Sequence, residues 1–269
     1  MPSLLAKKKH QAGQYIKYLA QAKSIHKVHP PFAFDFYKNV LKKDMPLQEK
    51  RTIKQIKASG RTNQNVIEHT DMGAGSGTRK YTRNHKRVSE IVKATAIPHK
   101  YGRILFNLVK HYQPENILEF GTATGISTLY MALSKPQSSK IITMEGCEET
   151  ATMARSNFKK TNTKGIEILT GEFALVLPIA MQKLPQIDMI YLDGNHVKKP
   201  TLEYFKTLLN QVHNDTIIVF DDVHWSNEMT EAWDTIRKND NVTLSIDLFK
   251  MGIVFFKKEL AKQHLILRY

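Results

Sequence analysis

The sequence predicts an α/β fold built on a mostly parallel, doubly wound sheet. From residue 115 onward, short apolar runs alternate with helical patterns of about 10 to 15 residues, and this alternation is typical of parallel strands joined by crossover helices. A last pair of apolar runs on either side of Lys250, Met251 and Gly252 indicates an antiparallel hairpin. We therefore expect a Rossmann-like sheet with a C-terminal antiparallel hairpin, preceded by a basic helical extension.

Residues 1–96 are expected to form this extension, with helices around one long loop. Gly, Thr, Asn, Arg and Lys dominate 59–88, which predicts a loop, and GAGSGTRK at 73–80 is its most flexible part by composition. Prolines at 30, 31 and 98 separate the apolar patterns of the neighbouring segments. The helices predicted before the sheet are 11–27, 46–58, 86–97 and 99–112.

Residues 97–269 are expected to form the sheet domain. Each predicted strand is a short apolar run, and each predicted helix has apolar residues on one face. The predicted strands are 116–120, 140–144, 166–169, 188–192 and 216–220, the hairpin strands are 242–249 and 252–257, and the helices are 126–134, 148–160, 172–183, 199–212 and 227–238.

The positive charge of the sequence is concentrated in its first part. The whole sequence has 40 Lys and Arg against 25 Asp and Glu, a net charge of +15. Residues 1–100 hold 21 basic and 6 acidic residues, whereas 101–269 hold 19 of each. A basic arm of this kind attracts polyanions such as nucleic acid or an acidic membrane surface, and the alternative is a solvated, lysine-rich helical surface. The reaction itself is therefore expected in the charge-neutral part.

Composition excludes several classes of protein. No apolar stretch approaches the roughly 18 to 20 residues that span a bilayer, and the N-terminal residues lack the pattern of a signal peptide. Cys147 is the one cysteine in the sequence, so neither a disulfide framework nor a cysteine zinc site is expected within the chain. We therefore expect a cytoplasmic protein without a transmembrane segment.

A glycine turn follows the first predicted strand of the sheet. The segment EFGTATG at 119–125 leads directly into an apolar helix, and its glycines allow a tight turn close to a ligand. Ser127 lies in the first turn of that helix, where backbone N–H groups are free. Glu145 ends the second strand, 24 residues beyond Gly121, where an acid can accept both hydroxyls of a ribose. This arrangement predicts a nucleotide-type cofactor site.

A second glycine segment competes with this motif. Asp71 to Gly77 matches a nucleotide-binding consensus more literally, but TRKYTRNHKRV follows it instead of the apolar helix that such a motif requires. We therefore expect a mobile, basic lid near the substrate there.

Acidic residues follow the fourth and fifth predicted strands. Asp193 ends one strand, and Asp221 and Asp222 end the next, so the three carboxylates are expected to converge at one edge of the sheet. Carboxylates so close together raise one another's pKa unless a cation is present. Oxygen ligands favour Mg²⁺ or Ca²⁺ over zinc. His196, three residues beyond Asp193, is the expected general base, although an acid at a strand end also serves as a helix cap.

Residues from about 97 to 269 resemble the class I S-adenosylmethionine-dependent methyltransferases, and among them the metal-dependent O-methyltransferases of the catechol and macrolide-sugar types. IDMIYLDGNH at 187–196 is similar to both types, and Asp221 lies at the family's spacing of 28 residues from Asp193. Asp222 departs from the catechol type, which has Asn there. The resemblance implies that Glu119 lies near the methionine ammonium, Glu145 at the ribose and Gly146 at the adenine. The predicted cofactor residues are Glu119, Gly121, Thr122, Gly125, Ser127, Glu145, Gly146 and Asp193, and the predicted metal ligands are Asp193, Asp221 and Asp222.

The resemblance also implies a mechanism. Mg²⁺ lowers the pKa of a substrate hydroxyl, His196 removes its proton, and the oxygen attacks the sulfonium methyl in line. The expected partner is a small molecule with a hydroxyl group, and the C-terminal hairpin is a candidate homodimer surface. Two alternatives stay open: an RNA or other nucleic-acid methyltransferase that uses the basic arm, and a non-catalytic binding protein on the same fold.

Overall fold

The computed structural model describes residues 4–24, 30–71 and 82–269. These residues form ten α-helices, one π-helical turn and ten strands. The helices are α1 Leu4–Gln21, α2 Pro31–Phe36, α3 Leu47–Thr62, α4 Val88–Thr95, α5 His99–Tyr112, α6 Ile126–Ala132, α7 Glu148–Lys160, α8 Phe173–Lys183, α9 Lys198–Leu208 and α10 Asn227–Lys238, and the π-helical turn is Tyr37–Leu41. The strands are β1 Val66–Asp71, β2 Thr82–Arg87, β3 Asn116–Phe120, β4 Lys140–Glu145, β5 Ile166–Thr170, β6 Met189–Leu192, β7 Ile217–Phe220, β8 Leu244–Asp247, β9 Gly252–Phe255 and β10 Gln263–Ile266.

The chain divides into two compact units. One combines Met1–Tyr37 with Gln186–Tyr269, and the other is Lys38–Pro185. Both units contain parallel strands that alternate with helices along the chain, which confirms the predicted α/β, Rossmann-like class. The sequence analysis divides the chain by function, into an extension of residues 1–96 and a sheet domain of residues 97–269. This functional division stays a prediction.

The unit Lys38–Pro185 contains three parallel strands in the order β3-β4-β5. Their register places Phe120 opposite Met144 and Glu145 opposite Thr170. Apolar side chains of β3 and β4 are buried, because a parallel strand with both faces covered needs a nearly continuous apolar run. The three predicted strands are confirmed to within one residue at each end.

The predicted loop over 59–88 is wrong at both of its ends. Helix α3 continues to Thr62, and β1 and β2 form an antiparallel pair in which Val66 lies opposite Arg87. Charged and polar residues dominate both strands, so they lack the apolar alternation that predicts a strand. Pairing with each other satisfies their backbone hydrogen-bonding groups. The glycine-rich segment 73–80, predicted as a lid, lies outside the described residues.

The other unit contains five strands in the order β10-β8-β9-β7-β6. Strands β6 and β7 are parallel, with Leu192 opposite Phe220. Strand β9 lies between β7 and β8 and is antiparallel to both, which confirms the predicted hairpin. Gly252 lies opposite both Phe220 and Asp247, so the hairpin turn lies at the carboxyl end of β7. The sequence did not predict β10, a strand of only four residues that pairs in parallel with β8.

Helix α1 belongs to the same unit as the hairpin. The Tyr18 hydroxyl donates to the Leu267 carbonyl at 2.5 Å, and the Tyr15 and Tyr18 rings contact the Phe249 ring with centroids 4.8 and 5.5 Å away. The helix begins at Leu4, earlier than the predicted start at residue 11, and 25–29 lie outside the described residues. Within the described part of the chain, no helix combines the length and apolar character needed to cross a membrane.

Candidate active site

An acidic cluster follows the parallel strands β6 and β7. Asp193 follows β6, and Asp221 and Asp222 follow β7, so the register of the two strands brings all three to one edge of the sheet. One ligand atom each from Asp193, His196 and Asp222 lies within 4.8 Å of the others. The His196 Nε2 atom lies 3.5 Å from Asp193 Oδ1. The structure therefore brings Asp193, His196 and Asp222 together, whereas Asp221, the third predicted acid, is not a member of this group.

The backbone of this cluster adopts conformations that L-residues rarely take. Asn195, His196 and Asp222 have φ values of 62°, 31° and 53°, and such left-handed residues persist only where surrounding contacts hold them. Asn195 Nδ2 donates to the Tyr204 hydroxyl at 2.9 Å, and the Tyr191 hydroxyl donates to Asp193 Oδ2 at 3.2 Å. These contacts fix the turn that carries Asp193 and His196.

Asp221 is more deeply buried than the other acids of the cluster. Its exposed fraction is 3%, and burial raises the pKa of Asp221 to about 7, with the Asp193 and Asp222 charges adding to the rise. Among the described residues, no hydrogen-bond donor reaches its Oδ1 atom. A buried carboxylate oxygen without a donor is a suitable ligand for a cation.

Lys250 is a residue of this cluster that the sequence analysis missed. Its ammonium donates to Asp221 Oδ2 at 2.9 Å and to Asp222 Oδ1 at 2.6 Å. Burial disfavours its charge, but the two carboxylates hold the pKa of Lys250 above its ordinary value. The sequence did contain a signal for this contact, namely the predicted hairpin with Lys250 in its turn. A hairpin that pairs with β7 places its turn next to the acids that follow β7. The position of β9 in the sheet was needed to use that signal.

The other unit holds the predicted cofactor motif, in the turn between β3 and α6. Gly121, Ala123 and Gly125 have φ values of 88°, 45° and 78°. A Cβ atom on Gly125 would lie 2.6 Å from the Phe158 ring, so both the backbone conformation and the space require glycine there. The amides of Gly121 and Thr122 donate to the Met144 carbonyl, which attaches the turn to β4.

Glu119 fixes this turn from inside the protein. It is fully buried, and its carboxylate accepts hydrogen bonds from Ser127 at 2.6 Å, Thr128 at 2.5 Å and Thr143 at 2.7 Å. Burial raises the pKa of Glu119 to about 7, although these three hydroxyls oppose the rise. Thr128 and Thr143 were not predicted as site residues, because hydroxyl partners of this kind are set by packing between strands and helix.

Glu119 gives the protein a testable dependence of stability on pH. Its pKa rises from about 4.5 in the unfolded chain to about 7 in the folded protein, so its contribution is most favourable at low pH and is lost as the pH rises between those values. We expect Glu119→Gln to gain stability relative to the wild type between pH 5 and pH 8, by up to about 3 kcal/mol. Urea unfolding at both pH values measures this, with exposed Glu167→Gln as the control. A difference between Glu119→Gln and wild type that is independent of pH would contradict the assignment.

Glu145 lies at the end of β4 and is partly exposed. Its Oε2 accepts from the Ala123 amide at 2.7 Å and its Oε1 from the Cys147 amide at 2.9 Å. Burial raises the pKa of Glu145, and these amides with that of Gly146 oppose the rise. Glu145 therefore links the glycine turn to the start of α7.

The predicted cofactor residues of this unit fall into two groups by exposure. One group is partly exposed and is able to meet a ligand directly, and the other is buried and supports the turn. The partly exposed residues are Gly121, Glu145 and Gly146, and the buried residues are Glu119, Thr122, Gly125 and Ser127.

The unpredicted strand β1 contacts the segment that follows Glu145. The Thr70 amide donates to Cys147 Sγ at 3.5 Å, and His69 Nδ1 lies 3.3 Å from the Thr150 hydroxyl. The β1–β2 hairpin therefore borders the predicted cofactor motif, although its strands lie in the region predicted as a loop.

The α/β fold, the glycine turn after one parallel strand and the acids after two others are the features that the resemblance to methyltransferases predicts. The model of the O-methyltransferase family matches residues 77–264. The chain therefore belongs to the O-methyltransferase family, and the resemblance found in the sequence is confirmed.

Relatives and solved structures agree with this family. The catechol O-methyltransferase of Niastella koreensis is 33% identical over 132 residues, which are 48% of this chain and 59% of that protein. The chain thus spans somewhat more than half the length of this curated relative.

Two solved structures share the fold. The O-methyltransferase TomG from Streptomyces achromogenes, involved in tomaymycin synthesis and in complex with S-adenosylmethionine, gives a TM-score of 0.56 at 17% identity, over 84% of this chain and 96% of that one. The O-methyltransferase from Bacillus cereus, in complex with S-adenosylhomocysteine, gives a TM-score of 0.52 at 20% identity, over 83% of this chain and 97% of that one.

Proposed function

We propose that the protein is an S-adenosylmethionine-dependent O-methyltransferase that methylates a hydroxyl of a small molecule with the help of a divalent metal. The observation that carries the proposal is the cluster of Asp193, His196 and Asp222, whose ligand atoms lie within 4.8 Å of one another. Membership of the O-methyltransferase family supports the reaction type. The name of the Niastella koreensis relative supports a catechol as the first substrate to test.

Glu145 and the glycine turn would hold the cofactor. Each Glu145 oxygen already accepts one backbone amide, and a carboxylate oxygen has a further lone pair for a ribose hydroxyl. Gly121, with its φ of 88° and no Cβ, allows a ligand close to the backbone. The complexes of the two solved structures with S-adenosylmethionine and S-adenosylhomocysteine support this cofactor. For Glu119, Thr122, Gly125 and Ser127 we propose a supporting role, because their side chains or backbone are buried.

Asp193, Asp221 and Asp222 would hold the divalent metal. The donor set is rich in carboxylate oxygens, which suits Mg²⁺, and the buried Asp221 Oδ1 atom has no donor among the described residues. When bound, the metal would supply Lewis acidity and a template for the substrate oxygen. These residues therefore fit the proposed ion.

His196 would act as the general base. Its Nε2 atom lies 3.5 Å from Asp193 Oδ1, so the imidazolium formed by proton transfer has a carboxylate beside it. The left-handed turn positions the His196 ring, because the Asn195 side chain donates a hydrogen bond to the Tyr204 hydroxyl. His196 takes the proton of the substrate hydroxyl, and the oxygen forms a bond to the methyl carbon as the bond from that carbon to the sulfur breaks.

Calorimetry and a turnover assay test the proposal. We expect S-adenosylmethionine and S-adenosylhomocysteine to bind, and labelled methyl groups to pass to one member of a panel of catechols, sugars, lipid head groups and RNA. We expect EDTA to remove that turnover and Mg²⁺ to restore it. Absence of cofactor binding would overturn the methyltransferase assignment. Full turnover in EDTA would overturn only the proposed requirement for a divalent metal.

The remaining predictions concern partners and location. A nucleic-acid substrate depends on the basic residues among the first 100, and binding to RNA that does not weaken between low and moderate salt would contradict it. A homodimer through the C-terminal hairpin, a cytoplasmic location and a separate functional role for residues 1–96 also stay predictions.

A further inference from the structure

Lys250 already provides a positive charge in the acidic cluster. Its ammonium lies 2.9 Å from Asp221 Oδ2 and 2.6 Å from Asp222 Oδ1. Asp222 is also one of the three residues whose ligand atoms gather within 4.8 Å. The ammonium therefore contacts the same carboxylates that would hold a divalent ion.

The fold holds Lys250 in this position through the turn between β8 and β9. The Val223 amide, one residue beyond Asp222, donates to the Lys250 carbonyl at 3.2 Å. Phe249, just before Lys250, has a φ of 69°, and its amide donates to Asp247 Oδ1 at 2.8 Å. These hydrogen bonds restrain the backbone of the turn at Phe249 and at Lys250.

Asp247 is itself fixed from two further directions. His224 Nε2 lies 2.8 Å from Asp247 Oδ2, and Trp233 Nε1 donates to the same oxygen at 3.1 Å. The His224 ring stacks on Phe249 at a centroid distance of 5.6 Å. These contacts hold the hairpin turn in place. The backbone of Lys250 is therefore positioned beside the acids by the fold.

We propose that Lys250 is an internal counter-ion that a divalent metal must displace from Asp221 and Asp222, so that this lysine sets the affinity of the site for metal. The inference rests on the proposed function, because it concerns the metal of that reaction. Asp221 Oδ1 has no donor among the described residues, but the ammonium contacts Asp221 Oδ2 and Asp222 Oδ1, so a second cation on the same two carboxylates is repelled by it at short range. The lysine also keeps the buried Asp221 charge paired in the absence of metal.

Metal binding by matched variants tests this inference. We expect Lys250→Met to bind Mn²⁺ at least tenfold more tightly than the wild type in calorimetry at pH 8, whereas Lys250→Arg, which keeps the charge, stays close to the wild type. Lys257→Met is the control, since Lys257 also pairs with two acids, Asp215 and Glu259, and has a similar exposed fraction. Equal or weaker binding by Lys250→Met would overturn the inference.

A measurement on the wild type covers the case in which Lys250→Met does not fold. We expect saturating Mn²⁺ to raise the rate at which an amine-reactive ester labels Lys250 several-fold, with the rate at Lys257 unchanged, as read by mass spectrometry. Unchanged labelling of Lys250 at saturating Mn²⁺ would overturn the inference. If neither the wild type nor Lys250→Met binds Mn²⁺, the inference fails together with the proposed metal. S-adenosylmethionine binding by the same samples then decides separately whether the methyltransferase assignment stands.

Discussion

Asp193→Asn is expected to lower kcat/KM for the acceptor hydroxyl by roughly 10²-fold to 10³-fold, the range seen when one preorganised electrostatic partner is removed. Asp193 lies 3.5 Å from His196 and accepts a hydrogen bond from Tyr191. The substitution keeps the shape of the side chain and removes its charge, so we expect the proposed metal site to weaken and the proposed imidazolium of His196 to lose its carboxylate. Labelled methyl transfer with Mg²⁺ measures the effect.

Two further measurements make this prediction specific. The affinity for S-adenosylmethionine should change little, because the proposed ribose contact is made by Glu145. Asp240→Asn is the matched control, since the Asp240 carboxylate is exposed and pairs only weakly with Lys262 at 3.3 Å. Turnover of Asp193→Asn within threefold of the wild type would exclude a central role for Asp193.

Glu145→Gln is expected to weaken S-adenosylmethionine binding by roughly 10-fold to 100-fold, because hydrogen bonds to a charged group are worth about 1.5 to 3 kcal/mol. The amide side chain keeps one oxygen acceptor, whereas the carboxylate has two oxygens that each accept a backbone amide. One of the Ala123 and Cys147 amides therefore loses its acceptor, and the proposed ribose contact loses its charged partner.

Calorimetry with S-adenosylmethionine measures the loss, and the free energy of unfolding in urea separates it from general damage to the turn. Glu148→Gln is the control, because Glu148 lies three residues further on, is exposed, and pairs with Arg155. Wild-type affinity in Glu145→Gln would show that this carboxylate does not bind the cofactor.

Local patterns were sufficient for most of the α/β fold. The strand Asn116–Phe120 and the helix Glu148–Lys160 have the bounds that periodicity predicts, because buried parallel strands need continuous apolar runs and helices need one apolar face. The same patterns failed at β1 and β2. Their residues are polar, and only pairing with each other makes them strands.

The candidate sites were predicted unequally. Asp193 and Asp221 were predicted because each directly follows a buried parallel strand, and the carboxyl ends of such strands meet at one edge of the sheet. Asp222 is the residue after Asp221. Glu119 near the methionine ammonium stays a prediction of the resemblance. Its contacts with Ser127, Thr128 and Thr143 show a second task, that of fixing the glycine turn.

The sequence by itself determined the glycine turn, the strand-end acids and the concentration of positive charge in the first 100 residues, because each is a property of neighbouring residues. Only the tertiary structure decided that Lys250 pairs with Asp221 and Asp222. These partners are 29 and 28 residues apart along the chain, and they meet because β9 pairs antiparallel with β7. Such a contact depends on strand order and register, which no local pattern encodes.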